Sequence, residues 1–205
     1  MLLYLVRHGE TDWNLARRIQ GSTDVPLNDT GREQARQTAR LLARRHWDAV
    51  ITSPLSRAFE TGSIIAAELG LPAPSTDADL VERQYGEAEG LDYRQMSERF
   101  PDDTPVPGRE PREEVIDRVL PALLAIAQAR EDEAVLVVSH GGVIRSVLAA
   151  VDPGGEHPAI TNGSIHSFRF ADGAFTLIAF DDPIEELSEH GEAFETQNPL
   201  EAKAS

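Results

Sequence analysis

The chain has 205 residues, 40% of them hydrophobic, enough for a full core in one domain, and its formal charge of −16 disfavours nucleic acid or an anionic membrane surface as a partner. It has no cysteine, which excludes disulfides, thiolate metal sites and thiol nucleophiles, and its only lysine is Lys203, which excludes a Walker-type phosphate loop. With no apolar run of about 18 residues and no signal-peptide pattern, a soluble cytoplasmic protein is expected.

Leu3-Tyr4-Leu5-Val6 is an unbroken apolar run, as in a strand of a parallel sheet covered on both faces, where ligands collect beyond the carboxyl ends. Arg7, His8 and Gly9 follow at that end. A histidine there can attack a phosphoryl group and an arginine can bind its oxygens. Alternation along a strand points neighbours apart, so the Gly9 turn has to bring both side chains to one pocket. The tripeptide by itself is also readable as a polar strand end. One helical turn is expected at residues 15–18. Gln20, Gly21 and Ser22 then offer donors for phosphate oxygens, or form a plain surface loop. Thr30 and Glu33 have capping-box spacing, and Ala35, Ala39, Leu42 and Ala43 make an apolar stripe, so a helix is predicted up to about residue 45.

Residues 48–52 read as the second strand, with Ser53-Pro54 as cap and first-turn pair of the next helix. Arg57 lies in that first turn, where a cation opposes the macrodipole unless it holds an anion; the alternative is a solvated surface arginine. The helix stops at Gly70. Asp77-Ala78-Asp79 has neither the lysine nor the preceding hydrophobic strand of an aspartyl-phosphate site and reads as loop. Glu82 sits among Leu80, Val81 and Tyr85, where partial burial would tune it toward a general acid; Glu87 and Glu89 are equally acidic and suit a solvated turn, and the residues alone do not rank the three. A helix is predicted at residues 92–100. Residues 101–111, with four prolines, form an irregular loop and a candidate lid. Arg109 and Arg112 could serve a second anionic group of a substrate, or be exposed in a mobile loop.

A long helix is predicted at residues 113–130, with Val115, Val119, Leu123, Ile126 and Ala127 on one side and Pro121 bending it. Ala134-Val135-Leu136-Val137-Val138 then repeats the device of the first strand, delivering Ser139-His140-Gly141-Gly142 at its end before a helix at residues 143–150. Two strand-end histidines can face one pocket only if their strands lie close in the sheet. Residues 165–171 and 174–180 form a hairpin about Asp172-Gly173, pairing Phe170 with Phe175 and Phe168 with Leu177. His166 reads as packing, and His46, His157 and His190 as surface or loop residues. Residues 181–205 read as a loosely attached acidic tail.

Taken together, Arg7-His8-Gly9-Glu10-Thr11, Asn14, Ser53-Pro54-Leu55-Ser56-Arg57-Ala58, Glu82 and Ser139-His140-Gly141-Gly142 resemble the histidine phosphatase superfamily, which includes the cofactor-dependent phosphoglycerate mutases. The resemblance spans roughly residues 2–180. It implies one α/β domain over residues 1–180, a three-layer, mostly parallel central sheet flanked by helices, with a lid segment near 82–112. It also implies His8 as nucleophile, Arg7, Arg57 and His140 around the phosphoryl oxygens, Glu82 as acid and base, and no metal. Asn14 would add a hydrogen bond, and Gln20, Gly21, Ser22, Arg83, Tyr85 and Gly141 would contact substrate. The implied activity is a phosphoric monoester hydrolase of the histidine acid phosphatase type acting on a small phosphorylated metabolite, without a cofactor.

Glu82-Arg83-Gln84-Tyr85-Gly86 looks more like the mutases, which would use 2,3-bisphosphoglycerate. The short spacing from Glu82 to His140 and the tract His140-Gly141-Gly142-Val143-Ile144-Arg145 look like the phosphatases. Pro107-Gly108-Arg109-Glu110-Pro111 departs from the Gly-Gly-Glu-Ser common in that branch, which bears on substrate preference. A non-catalytic protein that binds phosphorylated ligands is a third reading. A second copy of the chain, as a homodimer, is a further candidate partner.

Overall fold

The computed structural model describes residues 1–102, 104–182 and 184. Its centre is a six-stranded sheet of β1 (Leu2–Arg7), β2 (Ala49–Thr52), β3 (Ser75–Thr76), β4 (Ala134–Ser139), β5 (Ile165–Ala171) and β6 (Ala174–Ala179), in the order β3-β2-β4-β1-β5-β6. β3, β2, β4 and β1 are mutually parallel, and the β5–β6 hairpin joins β1 antiparallel. The expected mostly parallel sheet is present, with an antiparallel edge. β1 and β4 are direct neighbours, Arg7 opposite Ser139, which meets the condition for two histidines at adjacent strand ends.

Period-two alternation sorts the side chains into two cores. Leu3, Leu5, Val135 and Val137 pack with Val115, Val119 and Leu123 of α5 (Arg112–Ala129) and with Val143, Ile144 and Val147 of α6 (Gly141–Val151). Tyr4, Val6, Leu136 and Val138 pack on the other side with Ala39 and Leu42 of α2 (Asp29–Leu42) and Ala58, Ile65 and Ala66 of α3 (Ser56–Leu69). Both faces of the central strands are thus covered, which is why they read as unbroken apolar runs. The hairpin pairs Phe170 with Phe175 and Phe168 with Leu177, as the turn predicts.

Several local expectations need correction. The first helical turn, α1 (Asp12–Leu15), begins earlier than predicted because Thr11 and Asn14 form a capping box. Asn28, not Thr30, caps α2, accepting from the Gly31 N–H at 2.8 Å. Ser53 does not cap α3; the helix starts at Ser56 and Ser53 turns toward the site. Ala78–Leu80 is a 3₁₀ turn following the short β3 rather than plain loop. The tail assigned from residue 181 begins inside the folded part: Ile184 is buried in the second core, and the Asp181 N–H donates to His166 Nδ1 at 3.2 Å. The rest of that tail, with His190, lies outside the described residues.

Residues 101–111 are less irregular than their prolines suggest. The Glu110 N–H donates to the Gln84 carbonyl at 2.9 Å, the Glu87 N–H donates to the Pro107 carbonyl at 3.0 Å, and Tyr85 bridges to Arg109. Gly86 has φ of +56°, and a Cβ there would stand 2.1 Å from the Pro107 oxygen, so only glycine permits this join. The second wall of the site is therefore a knit pair of segments, followed after Gly90 by α4 (Tyr93–Arg99).

Candidate active site

The parallel β1–β4 pair sets His8 and His140 side by side beyond the sheet, with ring centroids 5.2 Å apart. Both are buried. Gly9 serves the turn differently from the expected way: it has no positive φ. A Cβ on Gly9 would lie 2.3 Å from the Gly31 carbonyl oxygen, and one on Gly31 would lie 2.1 Å from the Glu10 oxygen. Two glycines let the backbone after His8 press against the start of α2.

The tautomer of His8 follows from its partner. Its Nδ1 lies 2.6 Å from the Gly9 carbonyl oxygen, which can only accept, so Nδ1 carries the proton and Nε2 keeps its lone pair. Burial, then the positive charges of Arg57 and Arg7, hold the His8 pKa well below the ordinary imidazole value, with the Gly9 carbonyl opposing. Nε2 is thus a neutral nucleophile across the physiological range.

His140 is poised the other way. His140 Nε2 lies 2.8 Å from Ser53 Oγ, a hydroxyl that also accepts the Leu55 N–H at 3.3 Å. When the hydroxyl donates to Nε2, the ring proton of His140 sits on Nδ1, which is buried without a hydrogen-bond partner in the protein. Burial followed by the charge of Arg57 keeps this imidazole neutral as well.

Arg57 is fully buried, which removes the surface alternative. It donates to the carbonyls of Thr23 (2.8 Å) and Gly21 (2.7 Å), and its Nε–H is buried without a partner. Burial lowers its pKa, and Glu82 and Asp24 oppose that, so the guanidinium stays charged. Arg7 donates to the Ile160 carbonyl at 2.5 Å. Asn14 is buried with its Oδ1 taken by the Thr11 N–H (3.1 Å) and by Asn162 Nδ2 (3.3 Å). Gln20 is buried with its Oε1 2.9 Å from Thr11 Oγ1.

Glu82 is buried, its carboxylate accepting the N–H of Arg83 (2.8 Å) and of Gly142 (3.1 Å) near the start of α6. Its two acidic neighbours differ from it and from each other. Glu87 is exposed and pairs with Arg99. Glu89, expected in a solvated turn, instead takes the Ser22 N–H (3.0 Å), the Thr23 N–H (3.0 Å), the Tyr85 N–H (3.0 Å) and the Thr23 hydroxyl. These donors hold its carboxyl below the ordinary value against the effect of burial. Ser22 is corrected with it: its amide and its hydroxyl (3.2 Å) both point at Glu89 rather than offering themselves to a phosphate. Gly21 contributes its carbonyl to Arg57. Arg83, Tyr85 and Gly141 line an adjoining cavity.

Sequence reasoning missed Asn162, Ser53 and Thr61. Asn162 Nδ2 donates to the His8 carbonyl at 2.9 Å, and Thr61 Oγ1 accepts the Gly9 N–H at 3.1 Å. Each steadies a histidine or its turn from a remote stretch, and the only local signal was Ser53-Pro54, which reads as a cap.

Residues 3–183 match the model of the histidine phosphatase superfamily, branch 1. The chain is 42% identical over 171 residues to an uncharacterized phosphatase, PhoE, of Bacillus subtilis (strain 168), covering 82% of this chain and 88% of the relative. It is 33% identical over 192 residues to a metal-independent phosphoserine phosphatase of Arabidopsis thaliana, covering 88% and 81%. A mycobacterial glucosyl-3-phosphoglycerate phosphatase solved with VO3 superposes with a TM-score of 0.77 at 30% identity, covering 87% of this chain and 98% of that one. With paired strand-end histidines, a buried arginine and a carboxylate gathered at one end of a matching sheet, the chain belongs to the histidine phosphatase superfamily.

Proposed function

We propose that the protein is a phosphomonoesterase that hydrolyses a small phosphorylated metabolite through a phosphohistidine on His8, without a metal. The observation that carries this is the fixed tautomer of His8: the Gly9 carbonyl takes Nδ1–H, so Nε2 is a free lone pair beside His140, Arg57 and Arg7.

Nε2 attacks phosphorus and the bond to the ester oxygen breaks, that oxygen taking a proton from Glu82. Water then attacks the phosphohistidine, giving its proton to Glu82 as the P–N bond breaks, and phosphate leaves with His8 restored. The Nδ1–H of His140, the free Nε–H of Arg57 and the guanidinium of Arg7 stabilise the charge on the equatorial oxygens. Phosphoryl transfer asks mainly for positioning and charge stabilisation, and these cationic and polar groups supply them. The Asn14 amide nitrogen is the part of that side chain left for substrate.

The test is to quench the enzyme in alkaline denaturant while it turns over labelled phosphomonoester, with the analysis kept at alkaline pH, where phosphohistidine is stable. Label on His8, lost at a rate matching turnover, is the expected result. Label absent while phosphate is released would sink the reading. The mutase-like tract Glu82-Arg83-Gln84-Tyr85-Gly86 favours a second reading, a 2,3-bisphosphoglycerate-dependent phosphoglycerate mutase. Under it, the same protein would isomerise phosphoglycerate with bisphosphoglycerate present faster than it hydrolyses any ester.

A further inference from the structure

Arg57 keeps one N–H group for an oxyanion, the buried Nε–H, because the carbonyls of Gly21 (2.7 Å) and Thr23 (2.8 Å) take its terminal nitrogens. A guanidinium is a planar fork, so the positions of two acceptors fix the direction of the donor that remains. Both acceptors belong to the loop Gly21-Ser22-Thr23-Asp24, which supplies no apolar anchor of its own. Whatever holds that loop therefore sets the aim of Arg57.

The loop is fastened at both ends. Asp24 Oδ1 accepts the Ser56 N–H (2.8 Å) and the Ser56 hydroxyl (2.7 Å), serving the first N–H of α3, which Leu55 at the cap position leaves without a side-chain acceptor. At the other end the Gly90 N–H donates to the Ile19 carbonyl at 2.7 Å and the Ile19 N–H donates to the Leu91 carbonyl at 3.0 Å, which brings Glu89 against the loop. One Glu89 oxygen accepts from the Ser22 and Tyr85 amides, the other from the Thr23 amide and hydroxyl. Gly21, at φ of +55°, leaves the space this carboxylate fills, since a Cβ there would lie 2.0 Å from Glu89 Oε1. Thr23 thus gives its carbonyl to Arg57 and both of its donors to Glu89. Burial works against the charge on Arg57, and Glu89 adds to Glu82 and Asp24 in opposing that effect.

We infer that Glu89 is a positioning residue of the phosphoryl site: without touching substrate, its carboxylate holds the carbonyls of Gly21 and Thr23 where they orient Arg57. The inference rests on the phosphomonoesterase reading for what Arg57 binds. Glutamine is no substitute for this carboxylate, because it has one oxygen and one NH2 group, and either orientation sets its donors against groups that also donate. A displacement of about 1 Å at a group that positions the reacting atoms is enough to lower a rate on the order of 10²-fold.

The experiment is a double-substitution cycle between residues 89 and 57, read by kcat/KM for p-nitrophenyl phosphate and, without turnover, by calorimetric affinity for orthovanadate. Glu89→Gln alone should lower both at least about tenfold, and Thr23→Val, which removes the hydroxyl donor but keeps the carbonyl, should lower both about fivefold. In an Arg57→Gln background each substitution should change either reading by less than about twofold, because no guanidinium is left to aim. Losses that multiply in full with the loss of Arg57, as a general structural role would give, overturn the inference, and so does an unchanged Glu89→Gln protein. Should urea denaturation show Glu89→Gln to be unfolded, the Thr23→Val cycle decides by the same rule. A wild type that neither hydrolyses p-nitrophenyl phosphate nor binds orthovanadate ends the phosphomonoesterase reading and this inference with it, whereas a wild type that does both and shows independent losses ends the inference alone.

Discussion

The ends of β1 and β4 carry the same device, a buried strand that delivers a histidine and then glycine, and the structure gives the two histidines different partners, an acceptor-only carbonyl and a hydroxyl that can donate. At β1 a carbonyl of the following residue takes Nδ1–H and frees Nε2; at β4 a serine from another strand's end meets Nε2 and, when it donates, leaves the proton on Nδ1. One ring is made an electron-pair donor and the other a hydrogen-bond donor by partners a single atom each. The lesson is that the role of a strand-end imidazole lies in its hydrogen-bond partner, not in its position.

The sharpest way to break that comparison is to remove each ring. His8→Ala should lower kcat by at least about 10⁴-fold because no nucleophile remains, while His140→Ala should cost about 10²- to 10³-fold, the usual effect of losing one donor to developing charge. Steady-state phosphate release measures both. Equal losses, or the larger loss at His140, would reverse the assignment.

The glycines offer a finer test, since they meet different neighbours. A Cβ on Gly9 would strike the Gly31 backbone at 2.3 Å, and backbone cannot step aside, so Gly9→Ala should destabilise the fold by about 2 kcal/mol or more. A Cβ on Gly142 would lie 2.5 Å from Glu82 Oε1, which is the end of a side chain and can move. Gly142→Ala should therefore keep most of the stability and lower turnover about tenfold or more for alkyl phosphates, while sparing p-nitrophenyl phosphate, whose leaving group needs no proton. Urea denaturation beside a leaving-group series separates the two outcomes.

The smallest effect concerns acid. His8, His140 and also His166 are buried neutral, and burial followed by the charge of His157 lowers His166 to about 3. An unfolded histidine titrates near 6.5, so below that pH the unfolded chain binds protons that the folded one refuses. The stability from these neutral imidazoles is complete above about pH 6.5 and is lost as pH falls, for His166 by about 2 kcal/mol between pH 7 and pH 5. His166→Gln should reduce the loss between those two pH values by about that amount in urea titrations. An unchanged loss would show that His166 is not the acid-sensitive packing group its two hydrogen bonds indicate.

Much of this was legible in the chain. Unbroken apolar runs gave β1 and β4 because a strand buried on both faces needs them, and the turn Asp172-Gly173 gave the hairpin and its register. Arg7, His8, Arg57 and His140 stood out because polar residues at strand ends and helix starts are out of keeping with their apolar surroundings, whereas Glu82 was singled out from Glu87 and Glu89 only by the family resemblance. Ser53, Thr61 and Asn162 could not, since a serine before proline, a threonine inside a helix and an asparagine in a turn each have an ordinary local use. Glu89 was misread for a related reason: a carboxylate with five neighbouring donors looks, in one dimension, like any acidic turn residue.

What the sequence determined by itself, then, is which strands are buried on both faces and which polar residues stand at their ends, because side-chain type and the period of apolar residues are local properties. Only the tertiary structure decided which partner each histidine ring meets, which carboxylate is spent on the loop around residues 22 and 23, and that three arginines line one hollow. Those outcomes depend on atoms brought together from residues far apart along the chain, and hydrogen-bond partners and fields between charges act through space.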